Sequence, residues 1–314
     1  MKIFLSLLPL VFFCCTEHSS INEPTVPATS DVELIVLGIA QDAGFPQAGC
    51  KKENCQLFWD GKVGKRHATS IGIIDHSSQQ YWIFEATPDF KFQLHTLQEH
   101  SKSESNPMGI FLTHAHVGHY TGLMHLGHEV MGASEIPVYA MPRMKSFLEE
   151  NGPWSQLISK RNISINELSV DSLISLNANI SVTPFMVPHR DEYSETVGYK
   201  IETSSKSVLF IPDINKWRIW DRSIVEEISK VDYAFLDATF FDQNELPGRD
   251  ISLIPHPFVE ESLELFEGIP KYEKEKIHFI HFNHTNPLIL DTSERKKVKK
   301  LGYKVAFEGM KISL

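Results

Sequence analysis

The sequence predicts a mixed α/β fold of the layered kind. Short apolar runs that read as strands are interspersed with helical patterns along the whole chain. The order is several strands, a helix, more strands, then the same again, which suits two β-sheets packed face to face with helices outside. At 314 residues, 42% of them apolar, the chain can bury a large core. Residues 31–314 are read as one domain, since a layered domain of roughly 250 residues or more is feasible. Acidic residues exceed basic ones, 40 to 30, for a formal charge of −10. That balance argues against a nucleic-acid or anionic-membrane surface, though a metal site can still be locally positive.

The N-terminus reads as a targeting segment. Lys2 precedes a continuous apolar run over residues 3–13, which ends in Cys14 and Cys15 and then polar residues. An apolar run stopping at Cys resembles a bacterial lipoprotein signal, which implies lipidation at Cys15 or Cys14. Bulky residues precede both, so the choice stays open, as does an ordinary cleaved signal or an uncleaved anchor. Residues 16–30, rich in Ser, Pro and Thr, read as a flexible tether. The expectation is an exported lipoprotein, periplasmic or at the cell surface, touching membrane only through that anchor. No later segment is long and apolar enough to span a bilayer.

The elements follow in order. Residues 32–39 are a first core strand, and 41–55 form a Gly/Pro loop holding Cys50 and Cys55. Residues 67–75 and 81–85 alternate like paired strands. Thr87-Pro88 opens a helix, Thr87 as cap, with Phe90, Leu94 and Leu97 on one face. Residues 110–112 are a buried strand, followed by a helical pattern with Tyr120, Leu123, Met124 and Gly127 on one face. A strand at 136–140 and a helix at 141–150 come next. Residues 162–176 are polar and weakly patterned. Strands are expected at 180–187, 195–202, 207–211, 233–236 and 277–282. Helices are expected at 223–229, 258–266 and 293–301, with a long loop over 240–257 and short terminal strands.

Chemistry concentrates where strands end. His114, His116 and His119 follow the strand at 110–112 within six residues. Alternation sends His114 and His116 the same way, and the turn brings His119 back from the start of a helix. The other reading of such a stretch is a solvated, His-rich loop. A potential ligand also ends the strand at His189, Asp213, Asp237 and His281. Strand ends on one edge of a layered sheet protein converge on one cleft.

The stretch His114-Ala115-His116-Val117-Gly118-His119 resembles the metallo-β-lactamase superfamily signature H-x-H-x-D-H, with Gly118 at the Asp position. Leu37-Gly38, Gly44-Phe45-Pro46-Gln47 with Cys50, and Asn283-His284-Thr285-Asn286-Pro287 resemble the pyrroloquinoline quinone (PQQ) biosynthesis B branch. The resemblance implies a four-layer αββα sandwich. By position it makes His114, His116 and His189 a first metal site and Asp213 a bridge. It places His119 and His281 at a second site weakened by Gly118, where Asp191, His256 or His284 are candidate substitutes. Zinc is the expected ion, with iron or manganese as alternatives. The related phosphonate-pathway branch carries a C-x-C-x-x-C zinc cluster, of which Cys50 and Cys55 remain. Two thiolates are too few for a closed zinc site, so in an exported chain a Cys50–Cys55 disulfide is expected, with two free thiols as the alternative.

The resemblance implies a small-molecule substrate as partner, and three functional readings follow. The first is a hydrolase in which zinc lowers the pKa of bound water to about 7. The resulting hydroxide would attack an ester, phosphodiester or lactone, with Asp213 as ligand and proton acceptor and Arg190 or His256 steadying negative charge. The second is an iron-dependent oxidative enzyme like the PQQ-biosynthesis B protein. The third is a non-catalytic binding or carrier protein on a degraded hydrolase fold.

Overall fold

The computed structural model describes residue 1, residues 31–103 and residues 105–314. The expected signal, tether and lipidation sites Cys14 and Cys15 therefore lie outside the described residues. Strands β1 (Val32–Gly38), β2 (Ser70–Asp75), β3 (Gln80–Phe84), β4 (Gly109–Phe111), β5 (Ile136–Ala140) and β6 (Ile163–Glu167) fill the first half of the chain. Strands β7 (Ile174–Ser175), β8 (Ile180–Met186), β9 (Val197–Thr203), β10 (Ser207–Ile211), β11 (Tyr233–Asp237), β12 (Ile277–Ile280), β13 (Lys304–Val305) and β14 (Lys311–Ser313) fill the second. They form two seven-stranded sheets, ordered β14-β1-β2-β3-β4-β5-β6 and β13-β12-β11-β10-β9-β8-β7. The result is an α/β sandwich of two mixed sheets flanked by helices. Among the described residues no helix is long and apolar enough to cross a membrane.

Side-chain alternation explains the layering. Along the first sheet Leu34, Val36, Ile71, Ile73, Trp82, Phe84 and Phe111 face the second sheet's Tyr199 and Phe210 in one cluster. The intervening residues Ile35, Leu37, Ile74, Tyr81, Ile83 and Ile110 pack in a separate cluster with Phe90, Leu94 and Leu97. These three lie on α1 (Phe90–Ser101), and their 3–4 spacing puts them on one helix face. Between the sheets Phe111 stacks on Phe84 at 4.7 Å and on Tyr139 at 4.3 Å between ring centroids. β10 and β11 are buried along almost their whole length, so they read as continuous apolar runs.

Some boundaries differ from the sequence expectation. α1 starts at Phe90 with Asp89 as its cap residue, while the Thr87 hydroxyl accepts from the Asp89 N–H ahead of the helix. The helical pattern after the histidines resolves into a single turn at Val117–Tyr120 and a 3₁₀ segment at Thr121–Leu126, with Met124 exposed. Gly122 lies so close to the preceding segment that an added Cβ would sit 2.1 Å from the Thr87 carbonyl oxygen. The weakly patterned 162–176 region holds β6 and β7, which are edge strands and so need no apolar alternation on both faces.

Strand direction decides where the functional residues meet. β1 and β3 both run antiparallel to β2, and β4 runs parallel to β3. β8 and β10 both run antiparallel to β9, and β11 and β12 follow β10 in parallel. The C-terminal ends of β1, β3 and β4 therefore share one rim, as do those of β8, β10, β11 and β12. A parallel bridge between Ala40 and Phe282 joins the two rims.

Candidate metal centre

Each strand on that rim delivers a side chain within a few residues of its end. β4 is followed by His114, His116 and His119; β8 by His189; β10 by Asp213; β12 by His281; and β11 ends on Asp237. The histidine turn is pinned from the opposite sheet. The Val197 N–H donates to the Thr113 carbonyl at 3.2 Å, and the Ala115 N–H to the Ser194 hydroxyl at 2.8 Å.

His114, His116, His189 and Asp213 each bring one ligand atom to within 4.8 Å of the others. His114 Nε2 lies 2.8 Å from His116 Nδ1, and His189 Nε2 lies 3.3 Å from the same atom. Asp213 Oδ2 is 3.5 Å from His114 Nε2 and 3.2 Å from His189 Nε2. A second group of donors adjoins the first. His119 and His281 gather with Asp42, which follows β1, and Asp213 Oδ2 stands 3.8 Å from His119 Nε2. Asp213 thus faces both groups.

The nitrogens turned away from the centre are held by oxygen partners. Thr113 Oγ1 contacts His114 Nδ1 at 2.9 Å, Asn215 Oδ1 contacts His189 Nδ1 at 3.1 Å, and Thr239 Oγ1 contacts His281 Nδ1 at 2.9 Å. Glu85, fully buried at the end of β3, approaches His119 Nδ1 at 3.4 Å. Outer partners of this kind fix ring orientation and tautomer at metal sites. His281 adopts φ 68°, the left-handed region, which costs a non-glycine residue energy and is characteristic of functional positions.

Protonation fits a metal-binding role for the first group. Burial, together with the neighbouring His119 and His189, holds His114 well below the usual imidazole range. Burial and the field of His189 bring His116 down to about 4. Both rings are therefore neutral and offer lone pairs at neutral pH. His119 behaves oppositely: burial disfavours its charge, but Glu85, Asp213 and Asp42 together push it up to about 9. A cation at the second group would displace that proton. The Nε2 atoms of His119 and His281 are buried without a hydrogen-bond partner, so the donors present suit a cation.

The candidate substitutes at the second site lie elsewhere. Asp191 is exposed and pairs with Arg143 at 3.5 Å, because its loop turns outward. Arg190 is also exposed. His284 sits beside Cys50 and Cys55 in a third cluster. His256 lies behind the centre, its Nδ1 3.1 Å from Asp213 Oδ1 and 2.9 Å from Asp237 Oδ2. Burial alone would lower His256, but Asp237 and Asp213 overcome it and raise the ring to about 10. The expected Cys50–Cys55 disulfide is not formed; both thiols are free. Cys55 is buried inside the helix Glu53–Trp59, and burial pushes its thiol up to about 11, far from the reactive thiolate.

Sequence reasoning missed Asp42 and Glu85. Glu85 follows the apolar run of β3, so the strand-end pattern that singled out Asp213 could have found it. Asp42 lies four residues beyond β1 in a Gly/Pro loop and carries no local signal.

Comparison with known proteins agrees with this architecture. The chain is 26% identical over 311 residues to coenzyme PQQ synthesis protein B of Rhizobium meliloti, covering 91% of this chain and 99% of that protein. It is 26% identical over 309 residues to the protein of that name from Pseudomonas syringae pv. tomato, covering 89% and 99%. Among solved structures it resembles Zn(2+)-bound PqqB from Methylobacterium extorquens, with a TM-score of 0.75 at 23% identity over 90% of this chain and all of that one. It also resembles a diphosphatase of the PhnP family, with a TM-score of 0.62 at 20% identity over 90% and 96%. At these identities the structural likenesses bear on the fold alone. The model of the β-lactamase superfamily domain matches residues 81–282, most of the chain, and the protein belongs to that superfamily.

Proposed function

We propose that the chain is a metal-dependent enzyme acting on a small molecule, with chemistry akin to that of coenzyme PQQ synthesis protein B. The observation that carries this reading is the near full-length match to proteins of that name, joined to the four-donor group His114, His116, His189 and Asp213. Imidazole with carboxylate suits iron as well as zinc. Bound there, iron would supply redox chemistry with dioxygen as oxidant, and zinc would supply Lewis acidity.

The chain's own residues shape what can react. His114, His189 and Asp213 are buried, whereas His116 is partly exposed and Asp42 is 41% exposed. A substrate would therefore approach from the side of His116 and Asp42. Glu192 lies 3.7 Å from His116 Nε2, and Tyr193 beside it is well exposed, so both border the approach. His256, raised to about 10, already carries its proton at neutral pH and, between Asp213 and Asp237, holds the Asp213 carboxylate in place from behind.

The same four-donor group also favours a second reading, hydrolysis of an ester, phosphodiester or lactone, in which zinc would supply the Lewis acidity. Both readings are proposed to operate outside the cytoplasm, from the apolar run and cysteines at the N-terminus. The separating experiment loads the purified full chain with ferrous iron or with zinc. The oxidative reading expects oxygen consumption with a quinone precursor only in the iron form. Turnover of phosphodiester or lactone substrates by the zinc form, without oxygen uptake by the iron form, would replace it with the hydrolytic one. Binding without turnover in either form would overturn both.

A further inference from the structure

We propose that Asp42 is a ligand of a second divalent cation, held with His119, His281 and Asp213, and that Gly118 exists to let it in. The proposal rests on the reading that this centre binds metal. It adds a ligand from a part of the chain that the histidine motif does not contain. Asp42, His119 and His281 bring one ligand atom each to within 4.8 Å of one another. His119 Nε2 and His281 Nε2 are buried with no hydrogen-bond partner, and Asp42 Oδ1 stands 3.9 Å from the former. Two imidazoles with one carboxylate, next to a shared carboxylate, make a donor set suited to iron, manganese or zinc.

The backbone shows how the exchange is made. A Cβ at position 118 would lie 2.4 Å from Asp42 Cα and 2.8 Å from its carbonyl oxygen. A side chain at 118 and the backbone of Asp42 cannot share that space. The superfamily signature carries an Asp at this position; here the loop after β1 occupies the space and presents its own Asp. Asp42 adopts φ 42°, a left-handed conformation that Asp tolerates better than most residues. The loop is also tied to the strand end that carries His281. The Gln41 N–H donates to the Phe282 carbonyl at 2.8 Å, and the Phe282 N–H donates to the Ile39 carbonyl at 2.8 Å. Two main-chain bonds just ahead of Asp42 therefore hold the start of its loop against the strand end that carries its partner histidine.

The test counts zinc retained per full-length chain after loading with zinc alone and removal of free ion. It uses elemental mass spectrometry on the wild type, Asp42→Asn, Asp42→Ala, His116→Ala and the Asp42→Asn/His116→Ala double variant. Counting by difference cancels any ion held at Cys50, Cys55 and His284, and circular dichroism checks that each variant is folded. Asp42→Asn and Asp42→Ala are expected to retain one zinc ion fewer than wild type. Chelator competition should show the weaker site losing more than about 100-fold in affinity, beyond what loss of an outer partner causes. The double variant should lose a further ion. Folded Asp42 variants with the wild-type zinc count and affinity would overturn the proposal, while loss of zinc in His116→Ala would leave the metal-centre reading standing. Unchanged zinc in every variant would overturn both.

Discussion

At the scale of single residues, Gly118 is the most sharply constrained position in the centre. Its missing side chain is filled by the backbone of Asp42, not by water or a flexible side chain. Gly118→Ala is therefore expected to overpack a rigid contact and to destabilise the fold by about 1–3 kcal/mol, measured by chemical denaturation. An unchanged midpoint would mean the loop at 41–49 yields without cost. The departure of Gly118 from the superfamily signature was visible in the sequence. Its compensation was not, because Asp42 reaches the site through close backbone packing of a loop 76 positions away, and no local pattern encodes that. Asp191, His256 and His284 are candidate substitutes by residue type, and the sequence does not say which of them can reach the site. Residue type does not say which way a loop turns, and Asp191 turns to Arg143.

At the scale of elements, the rim works because strands of like direction end together, and strand ends were the legible part. His114, His189, Asp213, Asp237 and His281 each stand at the close of an apolar run, and the structure gathers all of them at one rim. Edge strands β6 and β7 and the early end of the helix after His116 were not legible. The two strands are polar and half exposed, and the helix is cut short where Gly122 meets Thr87 and Phe90. β4 has only three residues, Gly109–Phe111, yet it carries the histidine turn. Its anchor is Phe111, fully buried between the Phe84 and Tyr139 rings and edge-on to Tyr199. Phe111→Ala should leave a cavity between the sheets and cost about 3–5 kcal/mol. Thermal unfolding reads this directly, and a loss below about 1 kcal/mol would show that the turn is held by its cross-sheet hydrogen bonds instead.

For the whole molecule, the two sheets are fastened at both rims. The metal centre lies at one. At the other, Asp75 ends β2, which runs opposite to β1 and β3. Its carboxylate accepts from Asn177 at 2.8 Å and Asn179 at 2.9 Å, next to β7 and β8 of the other sheet, and from Ser77 and Ser78 in its own turn. Burial alone would raise this carboxyl, but the hydrogen bonds from Ser77, Asn179, Ser78 and Asn177 bring it down to about 2 from an ordinary 3.8. A depressed folded-state value means stability that is fully present above about pH 4 and lost as the pH falls toward 2. The contribution is on the order of 2 kcal/mol. Denaturation midpoints of wild type and Asp75→Ala should differ at pH 6 and converge as the pH approaches 2. A difference that does not shrink with acid would show that Asp75 acts through packing alone.

The centre itself is tested most directly by anomalous X-ray diffraction at the metal absorption edges, on crystals of the protein grown with zinc or ferrous iron. The expected result is a peak bounded by His114 Nε2, His116 Nδ1, His189 Nε2 and Asp213 Oδ2, at about 2.0–2.2 Å from each donor for zinc. Metal-supplemented crystals with no anomalous peak among those four atoms would contradict the account.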